Sequence, residues 1–98
     1  MTTYIVGTFK HGSAHRSLIT ARKAAYALMG APRPNSIANV SITKLTSEGL
    51  MEMWNEGLVS RINLGPIIYT KYEKDRIIGR WILNKDGTLG RKLRRNEW

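Results

Sequence analysis

The chain has 98 residues, of which 16 are Lys or Arg and 7 are Asp or Glu, so its formal net charge is +9 at pH 7. Hydrophobic residues make up 42% and charged residues 23%, a composition typical of one folded domain and not of a disordered tail. The absence of cysteine excludes disulfides, thiolate metal sites and thiol chemistry. No apolar run approaches the roughly 18 residues of a membrane span, and no signal-peptide pattern is found, so we expect a cytoplasmic protein with no membrane contact.

The basic residues are concentrated toward the two ends of the sequence. Residues 1–35 hold five bases and no acid, and the first acid of the chain is Glu48. Residues 70–98 hold nine bases and four acids, and residues 91–98 form a basic C-terminal segment of the single domain 1–98. A surface selected only for solubility mixes both signs of charge, so this distribution indicates a polyanionic partner.

The N-terminal third predicts a strand, a loop and a helix. Residues 3–9 are rich in β-branched and aromatic side chains, which predicts the strand, and residues 11–14 predict the loop. Apolar residues at three- and four-residue steps predict a helix over 18–29. Ser17 is its expected N-cap, and Gly30 its expected end.

The middle of the chain predicts a strand followed by a short helix. Residues 37–45 predict the strand, although their alternation is imperfect. The helix is predicted from Thr46 or Ser47 to about Glu56, with its acidic residues on one solvated side. Because residues 50–54 are few and ambiguous in pattern, a strand is the alternative there.

The C-terminal part predicts a β meander. Its four strands are expected at 58–64, 67–72, 76–83 and 88–93, with turns at Gly65-Pro66 and Asp86-Gly87. A helix over 75–83 is the alternative for the third of them.

The order β-α-β-α-β-β-β-β then predicts a single α+β domain with a mainly antiparallel sheet of about 4–6 strands and one or two helices. In the third of the C-terminal strands, Gly79, Trp81 and Leu83 are expected on one face together with Ile77.

The catalytic and metal-binding patterns in the sequence are incomplete. The glycine spacing of residues 7–13 resembles a phosphate loop, but Ser13 follows Gly12 directly, without the lysine that such a loop needs. His11 and His15 lack a third metal ligand, and no nearby acid can orient either imidazole toward a serine. We therefore expect no enzyme activity, no metal and no cofactor.

Basic and aromatic residues alternate between positions 69 and 81, a pattern that favours nucleic-acid binding. Lys71, Arg76 and Arg80 are expected to form one comb of cations on adjacent strands. Tyr69, Trp81 and Trp54, taken singly, are expected in the core. We predict a nonenzymatic protein that binds the phosphate backbone of DNA or RNA through Lys10, Arg16, Arg22, Lys23, Lys71, Arg76, Arg80, Arg91, Lys92, Arg94 and Arg95.

The alternative prediction is a small protein-interaction module, for example a phage-type inhibitor of a host protein that processes nucleic acid. Its expected anchors are Met51, Met53, Trp54 and Trp98, because methionine and aromatic residues are enriched in interfaces. A homodimer formed through a free sheet edge is also considered.

Overall fold

The computed structural model describes residues 2–7, 12–30, 39–46, 52–61, 65–74 and 76–98. These residues form seven strands, one α-helix and a short 3-10 turn. In chain order they are β1 (Thr2–Val6), β2 (Ser13–His15), α1 (Leu18–Gly30), β3 (Asn39–Thr46), β4 (Glu52–Arg61), β5 (Ile67–Glu73), β6 (Arg76–Leu83), β7 (Leu89–Lys92) and the 3-10 turn Arg95–Glu97.

All seven strands belong to one antiparallel sheet in the order β2-β1-β3-β4-β5-β6-β7. From β3 onward each strand pairs with the next along the chain, so this half of the sheet is a simple meander. The helix packs on one face, mainly against β1, β2, β3 and β4. The predicted α+β class with a mainly antiparallel sheet is confirmed, with more strands than expected.

The helix forms as its sequence predicts. The backbone N–H of Thr20 donates to the Ser17 Oγ at 3.2 Å, so Ser17 is the N-cap. Ala21 and Ala25 are fully buried against the sheet, since their small side chains allow close approach of helix and strands. No helix within the described ranges has the length and apolar character needed to cross a membrane.

The core lies between α1 and the sheet face that it covers, called here the helix side. The register places Val6 opposite Ile42, and Val59 opposite both Val40 and Tyr69. All five side chains are buried, and four of them are completely inaccessible to solvent. Since side chains alternate across a strand, the intervening residues point to the other side of the sheet, called here the open side.

The predicted second helix is wrong where it overlaps the described residues, because Glu52–Arg61 is strand β4, paired on both sides. Ile42 is opposite Gly57 and Thr43 is opposite Asn55, so Glu56 is an extra residue in a β-bulge. A bulge interrupts the two-residue alternation of a strand. The apolar residues of this segment therefore imitated helical spacing. Residues 47–51 lie outside the described ranges.

The remaining differences concern short or displaced strands. The expected loop at 11–14 overlaps β2, a three-residue edge strand that pairs with β1 and is too short to show a pattern. In β6, Gly79 and Trp81 share the helix side as predicted, because they are opposite Lys71 and Tyr69, and Leu83 is buried in the same core. The predicted place of Ile77 on this side is wrong, because a register shift puts it opposite Tyr72, the residue after Lys71.

Candidate nucleic-acid interface

Helix α1 packs mainly on β1 to β4 and reaches the neighbouring strands through core residues such as Tyr69 of β5 and Leu83 of β6. On the helix side of β5, β6 and β7, Tyr69 is opposite Trp81 and Trp81 is opposite Lys92, so the three side chains form one row across the strands. Lys71, two residues after Tyr69, lies on the same side opposite Gly79. We call four residues of this region the flank cluster: Arg22 from the helix, and Lys71, Trp81 and Lys92 from the sheet.

Arg22 joins the helix to this row. Its guanidinium carbon is 5.3 Å from the centroid of the Tyr69 ring, a cation–π geometry. Tyr69 is completely buried, and this burial raises the pKa of its phenol above the ordinary value, with a smaller contribution from Glu56. Tyr69 is thus a core residue, as expected, and Arg22 covers it from the solvent side while remaining partly exposed.

The Tyr69 hydroxyl is buried and has no hydrogen-bond partner among the described residues. Leaving such a group unpaired costs about 1–3 kcal/mol of desolvation. We therefore expect Tyr69→Phe to leave the free energy of unfolding unchanged or to raise it by about 1 kcal/mol, as measured by urea denaturation. Tyr69→Leu, which removes the ring, is the control and should destabilise the protein. A loss of more than about 1 kcal/mol in Tyr69→Phe would contradict the unpaired state.

Trp81 is placed by a glycine. A Cβ atom added at Gly79 would lie 2.5 Å from Cη2 and 2.8 Å from Cζ3 of the Trp81 ring, so the indole lies directly over the backbone of this residue. The ring is packed against the core but keeps part of its surface accessible. The Lys92 ammonium is 5.4 Å from the ring centroid, again in cation–π geometry.

Lys71 has an acidic neighbour in the bulge of β4. Its Nζ is 3.7 Å from the Glu56 carboxylate, and the two side chains are 39% and 13% exposed. The lysine is the more accessible of the two, and at 3.7 Å the pair leaves its ammonium hydrogens available to other acceptors. Among the described residues, the flank cluster therefore combines three cations with one carboxylate, which gives a net positive charge.

Cationic residues from both ends of the sequence meet on the helix side. Arg22 and Lys23 come from the N-terminal third, and Lys71 and Lys92 from the C-terminal third. Lys23 is exposed and its backbone lies beside the β6–β7 turn at Gly87. In that turn the pKa of Asp86 is lowered mainly by hydrogen bonds from Thr88 and to a smaller extent by Lys23.

The expected comb of Lys71, Arg76 and Arg80 is wrong. Arg80 is opposite Thr70, not Lys71, and its Nε donates to the Thr70 Oγ1 at 3.0 Å on the open side of the sheet. Lys71 is on the helix side, one position further along. Arg76 is exposed at the start of β6, opposite Glu73. The three cations are therefore divided between two faces and one hairpin end.

Two of the C-terminal bases, Arg91 and Arg95, have side-chain partners within their own segment. Arg91 donates two hydrogen bonds to the Glu97 carboxylate, at 2.9 and 3.0 Å. The Arg94 backbone N–H donates to the same carboxylate at 2.8 Å. The Arg95 guanidinium carbon lies 4.4 Å from the centroid of the Trp98 ring. Among residues 91–95, Lys92 is thus the base that belongs to the flank cluster, while Arg91 lies on the open side.

Acid should release this C-terminal contact. Hydrogen bonds from Arg91 and the Arg94 N–H lower the pKa of Glu97 from 4.5 to about 2. Because the folded-state pKa is the lower one, the stabilisation is complete above pH 4.5 and is lost as the pH falls through 2. We expect the Arg94 amide resonance to titrate near pH 2 in ¹⁵N–¹H spectra and to lose this titration in Glu97→Gln. A midpoint near 4.5 would show that the ion pair is absent in solution.

The other predicted residues lie apart from the flank cluster or outside the described ranges. Arg16 is exposed just before α1, whereas Lys10 and Met51 lie outside the described residues. Met53 is opposite Leu45 in β4. The expected core position of Trp54 is wrong, because its side chain is 40% exposed. His15, whose ring Nε2 is 2.7 Å from the Ser13 Oγ, is described, but His11 is not. Within the described residues, no three His, Asp or Glu side chains are grouped as metal ligands.

The close approach of an aromatic ring to Gly57 and to Gly79 was not predicted from the sequence. Gly57 and Gly79 are both buried within strands, and each lies against an aromatic ring, Tyr69 and Trp81 respectively. A glycine inside a strand often marks a bulge or a close approach of neighbouring groups, which was the available signal. The two glycines thus allow the Tyr69 and Trp81 rings to lie flat along the sheet.

Comparison with known proteins adds no relative: no family model, no curated protein and no solved structure matches this chain. The function of the chain is therefore inferred from the charges and geometry of its own residues. The flank cluster contains Arg22, Lys71 and Lys92, three of the cations that the sequence predicts to bind nucleic acid.

Proposed function

We propose that this chain is a nonenzymatic nucleic-acid-binding protein, acting in the cytoplasm, that holds a phosphate backbone with the flank cluster. The observation that carries the proposal is that Lys71 and Lys92 lie on the two strands that flank Trp81, and Arg22 of the helix lies over Tyr69, which is opposite Trp81, all on the helix side. Phosphate contacts by Lys and Arg supply most of the sequence-independent affinity for nucleic acids.

The two sides of β5, β6 and β7 differ in how their cations are used. On the open side, Arg80 is hydrogen-bonded to Thr70 and Arg91 is paired with Glu97 through both guanidinium branches. On the helix side, Lys92 contacts an aromatic ring, and among the described residues Lys71 has one ion pair, at 3.7 Å. The helix side therefore offers the more available positive charge, which favours it as the phosphate-binding side.

The test is the salt dependence of binding. Fluorescence anisotropy with labelled DNA and RNA oligonucleotides, single-stranded and duplex, gives affinities between 50 and 200 mM salt. Three phosphate contacts predict that log K falls by about 2–3 per decade of salt, which is a loss of roughly 20- to 40-fold over this range. Salt-independent binding, or no binding to any of these oligonucleotides at 50 mM salt, would overturn the proposal.

A second candidate function, binding to a protein, is favoured by exposed apolar side chains at another place. Trp54, Ile77 and Ile78 are each at least 40% exposed. They lie where β4 begins and where the β5–β6 hairpin turns, and Trp54 lines a shallow pocket there with Tyr72. A bound protein that survives nuclease treatment, and is lost in Trp54→Ala, would favour this function over nucleic-acid binding.

A further inference from the structure

Trp81 lies at the centre of the flank cluster, and its position is fixed from three directions. Its ring covers Gly79, it is opposite Tyr69 on β5, and it is opposite Lys92 on β7. It also packs against the buried core while keeping part of its surface accessible. A ring held in this way loses little conformational freedom when another flat group stacks on it.

The lysines on both sides of Trp81 have a spacing that suits the backbone of one nucleic-acid strand. Lys71 lies on β5 and Lys92 on β7, so the strand that carries Trp81 runs between them. Lys71 is opposite Gly79 and Lys92 is opposite Trp81, so the two lysines are two strand spacings of about 4.8 Å apart across the sheet and two residues apart along it, which puts their backbones about 12 Å apart. Long, flexible lysine side chains at this spacing can contact the phosphates on the two sides of a single nucleotide.

A ring between two lysines distinguishes single strands from duplexes. In a duplex the faces of the bases are covered by their stacked neighbours, whereas a single strand can present an unpaired base to an aromatic ring. Such stacking is tolerant of sequence, because every base has a π-face. A protein that used only phosphate contacts would need no aromatic ring among its lysines.

We propose that the ligand of the flank cluster is a single strand of nucleic acid and that one of its unpaired bases stacks on Trp81. This inference rests on the proposed function and adds to it the strandedness of the ligand and the residue that detects it. Lys71 and Lys92 bind the adjacent phosphates, and Lys92 moves from its place over the indole to do so.

The test compares two ligands of equal charge. A labelled 15-nucleotide oligothymidine and an abasic strand of the same length carry the same number of phosphates, but only the first has bases. We expect the intact protein to bind oligothymidine about 5- to 100-fold more tightly than the abasic strand, from the usual contribution of one stacked base. Trp81→Ala should abolish most of this difference by weakening the oligothymidine complex, and Trp81→Phe should retain much of it.

Trp54→Ala is the matched control, because Trp54 is also exposed but is not in the flank cluster. It should leave both affinities unchanged, and urea denaturation checks that each variant is folded. Equal affinities of the intact protein for the two strands, or a duplex bound as tightly as oligothymidine, would overturn the stacking inference while phosphate binding stood. If neither strand binds at 50 mM salt, the proposed function itself fails.

Discussion

Replacing Lys71 and Lys92 together by glutamine is expected to weaken the binding of a 15-nucleotide single strand by at least about 100-fold at 50 mM salt. Each lysine supplies one charge-assisted contact to a phosphate, and such a contact contributes about 1.5–3 kcal/mol. Removing two contacts should also reduce the slope of log K against log salt by about 1.4 for a single strand. Both quantities come from the same anisotropy titrations.

The matched control for this double variant is Lys74→Gln with Lys85→Gln. Both lysines are exposed in turns outside the flank cluster, and either double variant lowers the net charge from +9 to +7. If position decides binding, the control should keep most of the affinity. If the control weakens binding as much as the cluster variant, net charge alone attracts the nucleic acid and the flank cluster is not its binding site.

The parts of the fold that carry a strong local pattern could be predicted from the sequence. The helix shows apolar residues at helical spacing after the capping hydroxyl of Ser17, and the Asp86-Gly87 pair marks the β6–β7 turn. Strand β4 could not be predicted, because the bulge at Glu56 interrupts its alternation and its pairing partners lie elsewhere in the chain. At β4 the local pattern favours a helix and the long-range pairing favours a strand, and the pairing determines the structure.

The candidate site was predictable only as a set of charges. Which side of the sheet a cation occupies depends on the register between strands, and a difference of one position reverses it. Lys71 and Arg80 lie on adjacent strands, yet Arg80 is opposite Thr70 and so belongs to the other side. The approach of Arg22 to this row depends on how α1 packs on the sheet, which no local pattern of residues 16–23 reveals.

Gly57→Ala is expected to lower the free energy of unfolding by about 3 kcal/mol, a large share of the roughly 5–15 kcal/mol that stabilises a typical domain. A Cβ atom at this position would lie 2.6 Å from Cε1 of Tyr69 and would collide with its Cζ and hydroxyl as well. Tyr69 is completely buried and lies beneath the Arg22 guanidinium, so the ring has no space into which it can move. Urea denaturation followed by circular dichroism measures the loss.

The cause of this destabilisation can be separated from a general intolerance of alanine in the sheet. Gly90→Ala is the control, because Gly90 is exposed and its added Cβ would come no closer than 3.2 Å to the Ile82 carbonyl oxygen, so its cost should stay below about 1 kcal/mol. If the Tyr69 ring is the obstacle, Tyr69→Leu should be less costly in the Gly57→Ala background than in the native chain, by at least about 1 kcal/mol. Strictly additive losses would show that the alanine is rejected for another reason, and the ring would not depend on the glycine beneath it.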